Sequence, residues 1–87
     1  MHYVYILMSL KDRDLYIGYT NDLKERFAKH NAGKVQATSW RYPMKLVYYE
    51  AYLDEDEARK RERYFKTGWG KRYILIKLRK SLERAKI

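Results

Sequence analysis

Two short apolar segments near the start of the chain alternate and are rich in β-branched and aromatic residues. They cover residues 3–8 and 15–20, and a polar stretch, residues 9–14, separates them. This alternation predicts the two strands of a β-hairpin. An even number of residues in the connection places Tyr5, Tyr16 and Gly18 on one face of the hairpin. Two phenol rings beside a glycine that leaves a gap suggest a floor on which a ligand is bound.

A helix is predicted directly after the hairpin. Thr20 or Asn21 is expected to cap its N-terminus, and Gly33 is expected to end it. Arg26 and His30 are four residues apart, so they are neighbours on the helix surface, at the edge of its apolar stripe. An arginine that only contacts solvent would more naturally lie on the opposite face of the helix. The edge position therefore favours contacts between Arg26 and the rest of the protein. His30 fits either a functional role or a partly buried structural histidine.

The segment 34–43 is predicted to be a loop with hydroxyl and cationic side chains that suit phosphate oxygens. For any one of these residues, a solvated connector explains the composition equally well. The candidate nucleic-acid contacts are Lys34, Thr38, Ser39 and Arg41 in this loop, with Lys66 further along the chain.

The second half of the chain predicts a strand over residues 45–53 and then two helices. Asp54 is the expected N-cap of the first of these helices, and Glu62 lies on its apolar, inward stripe. A carboxylate turned inward needs a cation, hydrogen-bond donors or a metal ion. An internal ion pair, for example with Arg26, is the structural alternative to a metal site. A break at 67–70 precedes a third amphipathic helix from Lys71 onward.

The elements follow in the order β-β-α-β-α-α. This order predicts a small α+β fold, with a three-stranded antiparallel sheet flanked by three helices. A length of 87 residues favours one domain, residues 1–87.

Composition narrows the functional classes. The chain has 20 Lys and Arg against 11 Asp and Glu, a formal charge of +9, which favours a polyanionic partner such as nucleic acid. A basic protein that binds polyanions only incidentally has the same charge. There is no cysteine, which excludes disulfides and thiolate metal sites and fits a cytoplasmic protein. We expect no membrane association, and a monomer or a weak homo-oligomer.

The ordered set of motifs resembles the GIY-YIG nuclease superfamily. Val4-Tyr5 and Tyr16-Ile17-Gly18 are similar to its paired motif, and Arg26, His30 and Glu62 follow in register. The segment 58–68 resembles a small, single-domain bacterial branch similar to the nuclease domain of the UvrC excinuclease subunit. Tyr3 replaces the first glycine of the motif, Tyr19 stands where some members have a lysine, and Ile74 where several have an asparagine.

The resemblance implies a metal-dependent endonuclease that hydrolyses DNA phosphodiester bonds, for instance in repair or recombination. Carried over by position, the catalytic residues are Tyr5, Tyr16, Arg26, His30 and Glu62. Glu62 would hold one divalent cation. The expected ion is Mg²⁺, for which Mn²⁺ could substitute.

The residue types fit this chemistry. Arg26 would bind phosphate oxygens with its forked donors. Tyr5 or Tyr16 would act as base, with a pKa lowered by the cation and Arg26, and the other would orient the water. His30 would relay a proton or hold a neighbour in place. The alternative is a nucleic-acid-binding module that does not cut, or a subunit that assists a larger repair complex.

Overall fold

The chain forms a three-stranded antiparallel sheet in the order β2-β1-β3, with helices on both faces. The computed structural model describes residues 1–86. The elements are β1 His2–Ser9, β2 Leu15–Thr20, α1 Leu23–Asn31, a 3₁₀ turn Gln36–Thr38, β3 Met44–Tyr52, α2 Glu55–Phe65, α3 Gly68–Lys77 and α4 Arg79–Ala85. The predicted α+β class and the three-stranded antiparallel sheet are confirmed.

Strand β1 is central, and its residues alternate between two apolar clusters. Val4, Ile6 and Met8 face the larger cluster, where they meet side chains of α2, α3 and α4. Tyr5 and Leu7 face the smaller cluster, which α1 covers. Helices on both faces explain why the middle of β1 is buried without the apolar–polar alternation of a half-exposed strand.

The helices differ from the prediction in number. The expected third helix is two helices, and it begins at Gly68 because the Thr67 hydroxyl accepts a hydrogen bond from the Gly70 amide at 3.0 Å. The chain bends at Leu78, but the hydrogen bond from the Leu82 amide to the Leu78 carbonyl, 2.8 Å, carries the path into α4. The apolar period that predicted one helix therefore continues across the bend.

Of the two predicted N-terminal helix caps, one is confirmed and one is wrong. Asp54 caps α2 as predicted, with its carboxylate accepting from the Glu57 amide at 3.0 Å. The prediction of Thr20 or Asn21 for α1 is wrong, because Asp22 accepts from the Glu25 amide at 3.1 Å.

Within residues 1–86, no helix is both long enough and apolar enough to cross a bilayer.

The start of α3 packs tightly against the end of α2, and this contact gives a stability prediction. A Cβ at Gly70 would lie 2.7 Å from the Phe65 Cα and closer still to the Tyr64 carbonyl oxygen, whereas at Gly68 it would meet nothing within 4 Å. Gly70→Ala is expected to lower the free energy of unfolding by about 3 kcal/mol, as overpacking does. Gly68→Ala, in the same helical turn, is the matched control. Urea denaturation showing equal stability for the two variants would contradict this packing.

Candidate functional site

A cleft of about 480 Å³ opens beside the edge strand β2, between α1 and α2. It brings together side chains that lie far apart in the sequence. Four of the five residues predicted to be catalytic line it: Tyr5, Tyr16, Arg26 and Glu62. The remaining one, His30, is fully buried and lies behind Tyr5, at a ring-centroid distance of 5.6 Å.

The hairpin register places the two tyrosines as predicted. Tyr5 pairs with Gly18 and Leu7 pairs with Tyr16, so both phenols lie on the face covered by α1. Gly18 does not, however, leave an open patch for a ligand. A Cβ there would lie 2.5 Å from the Tyr5 Cζ, so the missing side chain makes room for the Tyr5 ring. The predicted gap beside the two rings is therefore absent, because the Tyr5 phenol fills it.

A chain of hydrogen bonds runs from the cleft into the core. The Arg26 Nε donates to the Tyr5 hydroxyl over 3.4 Å, and that hydroxyl is 2.9 Å from the His30 Nε2. The His30 Nδ1 is 2.6 Å from the Thr38 hydroxyl. Arg26 and His30 come from neighbouring turns of α1, and Thr38 comes from the 3₁₀ turn. The chain fixes the orientation of the Tyr5 phenol at the back of the cleft.

Burial and hydrogen bonding shift the pKa values of Tyr5, Arg26 and His30 in this hydrogen-bonded chain. It lowers the pKa of His30 to about 4, with the Arg26 charge as the second cause, so the imidazole is neutral at pH 7. Burial raises the pKa of Tyr5 to about 12, although the hydrogen bond from Arg26 acts in the opposite direction. The expected lowering by Arg26 is thus present but outweighed. The pKa of Arg26 is raised, chiefly by its hydrogen bond to Tyr5, so the guanidinium is the cation of the group.

The buried neutral histidine predicts a loss of stability in mild acid. Since the pKa of His30 falls from 6.5 in the unfolded chain to about 4 when folded, only the unfolded state takes up this proton between those values. Folding stability is therefore expected to fall as the pH drops from 6.5, by about 2 kcal/mol at pH 5. His30→Gln should flatten this slope in urea denaturation at pH 5–7. An unchanged slope in the variant would contradict the assignment.

Glu62 projects from α2 into the same cleft. Its side chain is 18% exposed, and one carboxylate oxygen accepts from the Lys66 ammonium at 3.0 Å. The ion pair suggested for Glu62 therefore exists, but its partner is one turn along α2 rather than Arg26. Lys66, a candidate nucleic-acid contact, is engaged by Glu62 in this arrangement.

The chemistry of the cleft fits a divalent cation that is held partly by substrate. No group of three or more His, Asp or Glu side chains within residues 1–86 forms a closed metal cage. Mg²⁺ is commonly bound by one or two carboxylates, with phosphate oxygens and waters completing its shell. Glu62 supplies one partly buried carboxylate, and Glu55 lines the same cleft. This donor set suits an ion that arrives with a phosphate.

A second guanidinium at the cleft was missed by the sequence analysis. The Arg59 guanidinium carbon lies 4.0 Å from the centroid of the Tyr19 ring, and its Nε donates to the Glu55 carboxylate at 2.9 Å. Both Arg59 and Tyr19 line the cleft. Arg59 precedes Glu62 by three residues, a spacing that makes them neighbours on one helix face. This three-residue spacing is the feature of the sequence that could have identified Arg59 as a residue of the cleft.

The predicted phosphate-binding loop is largely committed to other contacts. Thr38 is fully buried against His30, so its hydroxyl is not at the surface for a phosphate. The Arg41 side chain is 11% exposed and donates to the Asp12 carboxylate at 3.1 Å, which ties the loop to the hairpin connection. The Ser39 hydroxyl donates to a backbone carbonyl of its own turn, while Lys34 is exposed. None of the four lines the cleft.

Comparison with known proteins gives a consistent result. The family model described as the GIY-YIG catalytic domain matches residues 1–73. UPF0213 proteins of Streptococcus pyogenes serotypes M5 and M3 are each 46% identical over 65 residues, covering 74% of this chain and 70% of the relative. The solution NMR structure of a UPF0213 protein from Bacillus halodurans is 39% identical, with a TM-score of 0.54, and the match covers 88% of this chain and 83% of that one.

Proposed function

Because the chain belongs to the GIY-YIG catalytic domain family, we propose that it is an endonuclease that hydrolyses DNA phosphodiester bonds with one divalent cation. A single observation carries the proposal. Four residues from four different elements, β1, β2, α1 and α2, line one cleft: Tyr5, Tyr16, Arg26 and Glu62. Phosphodiester hydrolysis needs a positioned water, cationic donors for the phosphate and stabilisation of the leaving oxygen, and these residue types supply each requirement.

Arg26 and Arg59 are the phosphate-binding groups in this proposal. Both line the cleft, and each is held in place by a neighbour: Arg26 by the Tyr5 hydroxyl and Arg59 by the Tyr19 ring. A guanidinium offers several donors in a planar fork, so it can hold a structural partner and still bind phosphate oxygens. Two such groups would fix the orientation of the phosphodiester before hydrolysis.

Glu62 is the residue proposed to hold the divalent cation, Mg²⁺ or Mn²⁺. The bound ion would act as a Lewis acid toward the phosphate and stabilise the negative charge on the leaving oxygen. Without a bound cation, the Lys66 ammonium pairs with the Glu62 carboxylate. The Lys66 side chain is about half exposed, so it can move aside when the divalent cation binds. Binding of the divalent cation at Glu62 would therefore replace one cation, the Lys66 ammonium, by another.

The two tyrosines have different surroundings, and we assign them different tasks. Tyr5 is buried, with its hydroxyl held between Arg26 and His30 and its pKa raised to about 12, so it acts as a neutral positioning group. Tyr16 is half-buried and lines the cleft. We assign it the role of base: as a phenolate, after giving its own proton to solvent, Tyr16 would orient the attacking water and take up a proton from it. His30 and Thr38 support Tyr5 from behind.

The net charge of +9 supports a nucleic-acid substrate bound mainly through its backbone. Such binding is insensitive to sequence and weakens steeply as the salt concentration rises. Participation in DNA repair or recombination is part of the proposal, and it fits an enzyme that recognises the shape of a DNA rather than its base sequence.

The direct test is a cleavage assay with purified protein on linear DNA, branched DNA and a matched RNA. We expect cleavage of DNA with Mg²⁺ or Mn²⁺ and none with EDTA. Salt-sensitive binding without cleavage under any metal condition would favour the binding module instead. Cleavage that persists in EDTA would overturn the metal requirement, and cleavage of RNA alone would overturn the choice of DNA.

A further inference from the structure

A second hollow, of about 330 Å³, adjoins the cleft at the N-terminal end of α1. It is lined by Tyr3, Tyr49, Asn21, Asp22, Leu23 and Lys24. Asn21 also lines the cleft, so the two spaces share one lining residue. We propose that this hollow binds one unpaired nucleobase of the strand that is cut, next to the phosphate held in the cleft. The inference rests on the proposed function and names the class of its substrate.

The sheet register places tyrosines of the two spaces near one another on one face. Tyr3 and Tyr5 are two residues apart on β1, and Tyr49 of β3 pairs directly with Tyr5. All three side chains therefore lie on one face of the sheet. Two residues along a strand span about 7 Å. Tyr3 in the hollow and Tyr5 in the cleft therefore start about 7 Å apart along β1, which is on the scale of the spacing between neighbouring nucleotides.

The chemistry of the hollow suits a planar aromatic ligand attached to a phosphate backbone. The rings of Tyr3 and Tyr49 meet edge to face with centroids 6.1 Å apart, and Tyr49 is 51% exposed. Aromatic side chains of this kind stack on bases without regard to sequence. Lys24 adds a cation at the rim, and Asn21 adds an amide able to bond a base edge. The volume lies at the lower end of small-molecule sites, about 300–1,000 Å³.

The structure also indicates which nucleotides could enter. A base inside a duplex is already stacked on both sides, so only an unpaired or extruded base could lie against Tyr49. Asp22 does not compete for the ligand, because its carboxylate is used to cap α1. The preferred substrate class is therefore DNA with an unpaired nucleotide beside the cleavage position, as in a flap, a gap or a branch.

The test combines protein variants with an abasic scan of a branched DNA. Tyr49→Ala is expected to weaken binding by about tenfold, and Tyr49→Phe should restore it, because stacking needs the ring and not the hydroxyl. Tyr42→Ala is the control, since Tyr42 is 49% exposed and lines neither space. One abasic position should weaken binding to the wild type by a similar factor and have no further effect on Tyr49→Ala.

Photo-crosslinking of 5-iodouracil at that same position supplies a readout that does not depend on cleavage. A crosslink mapped to Tyr3 or Tyr49 is expected. Equal binding by Tyr49→Ala and Tyr42→Ala, or a crosslink confined to other residues, would overturn the subsite while leaving the nuclease proposal intact. A protein that crosslinks at Tyr49 but never cuts would retain the subsite and lose the nuclease.

Discussion

Glu62→Gln is expected to lower metal-dependent DNA cleavage by about a thousandfold, the scale of losing one charge-stabilising group in an active site. The replacement keeps the shape of the side chain but removes the charge that a divalent cation requires. Glu62 provides the partly buried carboxylate of the cleft, and its present partner, Lys66, is the half-exposed residue that caps the C-terminus of α2. The measurement is the single-turnover cleavage rate at several Mn²⁺ concentrations.

Glu57→Gln is the matched control for this experiment. Glu57 lies on the same helix and is exposed, but it lines a different hollow, beside Tyr52 and Arg61. This variant should cleave at the wild-type rate, and both variants should unfold at similar denaturant concentrations. A Glu62→Gln protein that keeps the wild-type rate at every metal concentration would remove the carboxylate from the mechanism.

Arg26→Lys is expected to lower the cleavage rate by about a hundredfold although it preserves the positive charge. The Arg26 Nε donates to the Tyr5 hydroxyl, which leaves the terminal nitrogens of the fork for phosphate oxygens. A lysine ammonium is a compact point charge and cannot hold both partners in this fixed geometry. The loss should therefore fall on the rate at saturating DNA more than on the affinity.

Arg63→Lys provides the comparison for Arg26→Lys. Arg63 is exposed on α2 and does not line the cleft. Its replacement by lysine should leave the rate and the salt dependence of binding unchanged. Equal cleavage rates for the two lysine variants would show that only the charge of Arg26 matters. That result would contradict the proposal that Arg26 holds the Tyr5 hydroxyl and a phosphate at the same time.

The sheet and the placement of the tyrosines could be predicted because they depend on local periodicity. Alternation marked the strands, and parity alone put Tyr5 and Tyr16 on one face. The helix starts were harder, because Thr20, Asn21 and Asp22 are all favourable caps and the tertiary structure selects one. Glycines at 68 and 70 suggested a break, whereas a threonine cap and tight helix packing place them inside α3.

The partners of the site residues could not be predicted, since they depend on how distant segments meet. Thr38 was expected at the surface, but the 3₁₀ turn carries it into the core, where it supports His30. Arg41 was expected to bind phosphate, but the hairpin connection supplies its partner, Asp12. Arg59 was not among the predicted site residues, and only the approach of Tyr19 shows that it borders the cleft.

A crystal structure with Mn²⁺ and an oligonucleotide would test the central claim, that one cleft holds both a phosphate and a divalent ion. Its anomalous difference map would locate the metal without reference to activity. We expect one metal peak within bonding distance of the Glu62 carboxylate, with a phosphate oxygen on the same ion and the Arg26 guanidinium on that phosphate. A phosphate bound elsewhere on the protein, with the metal away from Glu62, would contradict it.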